Sequence, residues 1–139
     1  MSSGLIISAA HREDVIAHCR SKYPKEACGI LAGANGAAER RVVQVYPMTN
    51  VEDSPIGYSM DPKEQLRLER QMRQAGQQML AIYHSHTATS AYPSSVDVSL
   101  AISPDISYVL VSLKDQQQPD FKSYRIEDGR ITPEDVDVA

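Results

Sequence analysis

The sequence predicts an α/β (α+β) domain, with helices laid against a mixed β-sheet. Two observations carry this. Short apolar runs at residues 27–32, 79–85 and 106–113 are bounded by Gly, Pro and Asn-Gly punctuation, as strands are. Between them lie segments with helical spacing and recognisable starts and stops. Neither strands nor helices dominate, so a layered mixed architecture is expected.

Taken in order, residues 4–8 form a short apolar run that opens a strand or leads into a helix. Residues 10–22 read as a helix, with Val15, Cys19 and Tyr23 repeating at four and Ile16 beside them, and Pro24 stopping it. Ala27 to Ala32 reads as a strand, and Asn35-Gly36 as a hairpin turn. Arg41 to Tyr46 is the expected return strand, ended by Pro47. Residues 47–60 look loop-like, with a short strand at Tyr58. Asp61-Pro62-Lys63-Glu64 announces a helix: Asp61 as N-cap, Pro62 in the first turn and Glu64 placed to reach back. It should run to about Gly76 with Leu68 and Met72 inward. Met79 to Ser85 is a strand and residues 87–93 a loop. Ser94 or Ser95 opens a third helix through about Ile102, and Pro104 ends it. Ile106 to Leu113 is a central strand, and Phe121 to Ile126 a further one turning at Asp128-Gly129.

The 139 residues fit one domain, residues 1–139, long enough to bury a core unaided. Apolar residues at 42% argue against disorder. With 14 basic against 18 acidic residues, the chain lacks the basic excess of a general nucleic-acid binder. No run suits a signal peptide or a membrane span, so a cytoplasmic, membrane-free protein is expected. Cys19 and Cys28 have no zinc-finger spacing and read as buried thiols, although Cys28 is two residues from Glu26 and within possible reach of a metal.

The chemistry centres on Ile82-Tyr83-His84-Ser85-His86, followed by Ser94 and Asp97. Histidines two apart on a strand share a face, so both imidazoles can reach one ion. A carboxylate from the following loop, Asp97, completes two His and one acid, which leaves a tetrahedral zinc with an open position. From spacing alone, ligand and ordinary histidine weigh about equally. Asp97 and Ser94 also fit a helix capping box, [ST]-x-x-[DE], and first-turn rigidity suits a ligand as well as a cap.

The spelling His-x-His-x(7)-Ser-x-x-Asp resembles the JAMM, or MPN-plus, metallopeptidase motif. Pro24-Lys25-Glu26-Ala27-Cys28-Gly29-Ile30-Leu31 resembles the glutamate strand of that family. Nearly the whole chain is most similar to its actinobacterial Mec branch, which releases cysteine from the sulfur-carrier protein CysO. The resemblance implies a cytidine-deaminase-like sheet flanked by helices, one zinc held by His84, His86 and Asp97, Glu26 as general base and acid, and Ser94 as oxyanion donor. It implies as partner a ubiquitin-like sulfur carrier whose C-terminal Gly-Gly bears cysteine. A homodimer is left open. Two other classes stand beside this: a broader isopeptidase acting on lysine-linked tags, and a non-catalytic MPN scaffold, which would not need all five residues. Thr87 replaces the proline usual in the wider family and resembles the Mec branch in doing so. The motif halves lie at minimal spacing, which favours a small leaving group. Arg40, Arg41, Arg67 and Arg70 are equal candidates to hold its carboxylate.

Overall fold

The computed structural model describes residues 4–139. The main sheet has six strands. They are β2 (Cys28–Ala34), β4 (Gln44–Met48), β5 (Gln77–His86), β6 (Ser107–Ser112), β7 (Asp120–Glu127) and β8 (Arg130–Glu134), in the order β4-β2-β5-β6-β7-β8. Only β5 and β6 run parallel, with His84 opposite Leu110. The expected 106–113 strand is thus interior, as its apolar run requires. A smaller sheet joins β1 (Leu5–Ile7) in parallel to β3 (Arg40–Arg41) and β9 (Val136–Val138).

Helix α1 (Ala9–Lys22) starts at Ser8, whose hydroxyl accepts from His11 N at 3.0 Å. Val15, Ile16 and Cys19 are buried as the stripe predicts, but Tyr23 is the 42% exposed cap residue rather than part of that stripe. Helix α2 (Pro62–Gln74) starts at Asp61 and turns Met72 and Leu68 inward. Glu64 does not reach back to Asp61; its two oxygens take Thr49 N at 2.8 Å and Thr49 Oγ1 at 3.4 Å.

The return strand departs from expectation. Residues 40–48 serve two sheets: Val42 N donates to Ile6 O in the small one, and Val43 N to Ala32 O in the large one. One run is thereby split into β3 and β4. Pro47 lies within β4 because β4 is an edge strand, where a missing N–H forfeits no ladder bond. In place of a strand at Tyr58 there is a single bridge between Asn50 and Met60.

Helix α3 (Ser95–Ser99) is five residues long and stops short of Ile102. Val96, Leu100 and Ile102 are all more than half exposed, and Val98 and Ala101 alone pack inward, too little apolar face to reward a longer helix. The Tyr108 hydroxyl takes the amides of Ile102 and Ser103 instead, at 2.9 and 3.0 Å.

Strand alternation divides the core between the two faces of the sheet. Tyr83, Val109 and Val111 pack with Leu31, Leu5, Ile7 and the buried side of α1. Cys28, Ile30, Tyr46 and Met48 pack with Met72 of α2 on the other face, where Ile82 and Tyr108 form a neighbouring cluster. Gly29 is required by this arrangement: a Cβ there would lie 2.3 Å from the ring of fully buried Tyr83.

Candidate metal centre and active site

The C-terminal end of β5 delivers both histidines to one place. His84 and His86 share the α2 face with Ile82, while Tyr83 and Ser85 turn away. His84 is 3% exposed and His86 6%. Strand β5 extends through His86, one residue past its expected end, and its last pairing is to Ser112 of β6. Both ligand candidates therefore sit on rigid backbone.

Asp97 reaches them from the first turn of α3. Its Oδ2 lies 3.0 Å from His86 Nε2, and its Oδ1 lies 3.2 Å from His84 Nε2. His86 Nδ1 is 2.8 Å from the Ser90 carbonyl. A carbonyl only accepts, so His86 carries a proton on Nδ1, and Nε2, which faces Asp97, is the atom that would offer a lone pair to a metal once it is deprotonated. His84 differs. Neither of its ring nitrogens makes an aligned hydrogen bond, and both are buried. An orphaned buried ring nitrogen beside a second imidazole and a carboxylate is the donor set of a cation site. One donor atom from each of the three residues falls within 4.8 Å of the others.

The charges agree. Burial disfavours His84 protonation and holds its pKa below the ordinary value. Burial also opposes a charge on His86, but the Asp97 and Ser90 hydrogen bonds outweigh it and raise the pKa. Burial would raise the Asp97 carboxyl, but the two histidines beside it and the Ser94 amide outweigh that and hold it well below the usual carboxylate range. It is ionised near neutrality, as a ligand must be.

Glu26 stands at the entry to β2 and is 6% exposed. Burial pushes its carboxyl up to about 7; His86 opposes the rise, and Asp97 and Glu52 add to it. Its backbone is held by the 50–60 loop: Glu26 N donates to Ser54 O at 2.8 Å, and Asn50 Nδ2 donates to Glu26 O at 3.0 Å. Glu26, His86, Ser94 and Asp97 line one cavity of about 300 Å³, closed by Pro55, Ile56 and residues 87–89. Ser94 is the N-cap of α3; its hydroxyl accepts from Asp97 N at 3.1 Å, and its own proton meets no acceptor among the described residues.

Cys28 lies opposite His84 across the β2–β5 ladder but stays outside the donor cluster. Burial, then Glu64 and Glu26, push its thiol up to about 12. Both cysteines are buried free thiols. Two neighbours escape any spacing rule. Tyr58 stacks on His84 with ring centroids 4.4 Å apart, and Asn50 clasps the loop that holds Glu26. None of the four arginines weighed above lines the cavity. Arg40 is held by Ser107 Oγ and Leu80 O, while Arg41 and Arg67 make exposed pairs with Glu39 and Glu64 away from the cavity lining.

Comparison with known proteins agrees with this picture. The family described as prokaryotic homologs of the JAB domain matches residues 8–127. The CysO-cysteine peptidase of Mycobacterium tuberculosis (strain ATCC 25618 / H37Rv) is 48% identical over 136 residues, which is 96% of this chain and 90% of that one. A desampylase of Haloferax volcanii is 33% identical over 80% of this chain and 82% of its own length. Among solved structures, a protein from Desulfitobacterium hafniense superposes with a TM-score of 0.88 at 39% identity, covering 97% of this chain and 92% of that one. A JAB1/MPN domain protein from Archaeoglobus fulgidus shares the fold, with a TM-score of 0.60 at 18% identity over 96% of this chain and 99% of that one. Matched by the family model over residues 8–127 and by a relative 48% identical over most of its length, the chain belongs to the prokaryotic JAB family of peptidases.

Proposed function

We propose that this protein is a zinc-dependent peptidase of the cytoplasm, one catalytic domain over residues 1–139. It hydrolyses the amide bond after the C-terminal glycine of a ubiquitin-like sulfur-carrier protein and releases cysteine. The carrying observation is the convergence of His84, His86 and Asp97 on one point beside a buried carboxyl, Glu26, whose pKa is about 7. The 48% identity to a CysO-cysteine peptidase over almost the whole chain supports the substrate.

His84, His86 and Asp97 would hold the ion, which would supply Lewis acidity and an activated water at neutral pH. Glu26 takes the proton of the attacking water on its carboxylate and hands it to the departing nitrogen. Ser94 donates its free hydroxyl proton to the carbonyl oxygen as charge develops there. The C–N bond breaks, leaving the carrier with a glycine carboxylate and cysteine with a free amine.

The test offers the purified enzyme two adducts of one carrier, one ending in cysteine and one linked to a lysine of a folded protein. The cysteine adduct should be cleaved much faster, chelation should stop it and zinc should restore it. Comparable kcat/KM on both adducts would instead make the protein a general isopeptidase, closer to its desampylase relatives.

A further inference from the structure

We infer that Lys22 and Lys25 form a subsite for the carboxylate of the leaving amino acid. The inference rests on the peptidase reading above, in which Glu26 protonates the departing nitrogen. The leaving group's atoms then lie beside Glu26. Its α-carboxylate carbon is only about 2.5 Å from that nitrogen through the intervening Cα. Whatever recognises the carboxylate must therefore border Glu26. A carboxylate entering such a site without a partner would be strongly disfavoured.

The 300 Å³ cavity does not offer a partner: its lining contains two acids, Glu26 and Asp97, and no Lys or Arg among the described residues. A second, smaller cavity of about 110 Å³ shares the Glu26 wall. It is lined by Lys22, Lys25, Thr49, Asn50 and Asp53 among others. The two lysines are set by backbone. Lys22 ends α1, and Lys25 N donates to Lys22 O at 2.8 Å, which fixes the backbone positions from which the two side chains start. Glu26 follows directly, tied to Ser54.

The two lysines are free to take a carboxylate. Lys25 Nζ is 2.7 Å from Asp53 Oδ2, but the Asp53 side chain is 70% exposed, so that pair is weak and exchangeable. Lys22 has no ion-pair partner among the described residues. Lys22 also suits the C-terminal end of a helix whatever the substrate, so a change in stability alone would not reveal a subsite. Substrate discrimination would.

The experiment uses the metal-loaded enzyme and two adducts of one carrier, ending in cysteine or in cysteinamide, which differ only in the carboxylate. The acid should be preferred by about 10-fold or more in kcat/KM, the range of a charge-assisted hydrogen bond. In the Lys22→Gln/Lys25→Gln double variant the ratio should fall towards one, while Asp53→Asn, which frees Lys25, should preserve or raise it. Equal rates in the wild type, or a preference that survives the double variant, would overturn the subsite. A readout without turnover accompanies this: NMR titration with S-methylcysteine and its amide, following the Lys22 and Lys25 side chains. Shifts with the acid alone support the subsite, and no difference between acid and amide rejects it. If neither adduct is cleaved, the peptidase reading fails, and the titration still decides whether the lysines bind a carboxylate.

Discussion

Ser94 and Asp97 cap each other. Asp97 N donates to Ser94 Oγ at 3.1 Å, and Ser94 N donates to Asp97 Oδ2 at 2.9 Å. The same Oδ2 faces His86 Nε2 at 3.0 Å. The carboxylate is thus aimed by backbone before any ion arrives, and the cap and ligand readings of Asp97 describe one geometry. Asp97→Asn keeps an oxygen for Ser94 N but removes the charge. It should lose bound metal, and in chelator near neutral pH it should unfold below the wild-type temperature, because the ionised carboxylate that the fold favours is gone. Asp97→Ala should lose metal and also about 1 kcal/mol of cap stability. Elemental analysis and thermal unfolding in chelator measure both. Full metal content in the Asn variant would leave Asp97 as a cap alone.

Ser94→Ala separates capping from catalysis. The metal ligands are untouched, so metal content should stay at the wild-type level. Stability should fall by about 1 kcal/mol through the lost cap, and kcat by ~10²–10³ through the lost oxyanion donor. A kcat loss no larger than the fraction unfolded would assign Ser94 to the helix only.

Glu26→Gln should retain metal and lose ~10²–10⁴ in turnover. It also makes a stability prediction that needs no substrate. In the metal-free protein the Glu26 carboxyl is raised from 4.5 to about 7, chiefly by burial. The folded state therefore holds this proton more tightly than the unfolded chain does. The stability it contributes is complete below pH 4.5 and is lost as pH rises through about 7. Gln cannot ionise. In chelator, the variant should gain on the wild type between pH 5 and 8, by on the order of 1–2 kcal/mol, and the two should match near pH 4. Parallel stability–pH curves would show that Glu26 is not buried as described.

The sequence revealed the ligands more readily than the walls around them. His84 and His86 were legible because strand period alone puts them on one face, and Asp97 because a capping box is a local pattern. Glu26 was legible only through family resemblance. Its approach to His86 depends on the β2–β5 register, which pairs Cys28 with His84 across more than fifty residues of chain. Glu64 was misjudged for a related reason: a local cap competed with Thr49, whose amide took one of its oxygens and whose hydroxyl took the other. The split of 41–46 between two sheets had no local signal, since it depends on Val42 and Val43 bonding to two different strands, β1 at Ile6 and β2 at Ala32.

Tyr58 supports His84 from the side. The rings stack at 4.4 Å with planes 26° apart, and the imidazole has no aligned hydrogen bond to orient it. Groups that orient a metal ligand typically change affinity 10–100-fold when removed. Tyr58→Phe keeps the ring and should bind metal as the wild type does. Tyr58→Leu fills similar space without the stack and should weaken metal binding by about 10-fold, measured by competition with a chelating dye. Equal affinities for Phe and Leu variants would make Tyr58 a packing residue.

Thr87 stands where the wider family resemblance implies proline, and here it has a definite partner. Its Oγ1 donates to Pro55 O at 3.0 Å, joining the residue after His86 to the loop that walls the cavity. Proline could not make this bond through its side chain. Pro55 and Ile56 close the cavity opposite Asp97, and Ile56 is 88% exposed, so little packing holds the loop in place. Thr87→Val keeps the β-branched shape and removes the donor. The bond is worth about 1 kcal/mol, so KM should rise by roughly 5-fold with kcat and metal content nearly constant. Limited proteolysis within residues 51–57 should quicken in the same variant. If kcat fell while KM and proteolysis stayed put, Thr87 would be acting on the metal ligands through β5 rather than on the cavity wall.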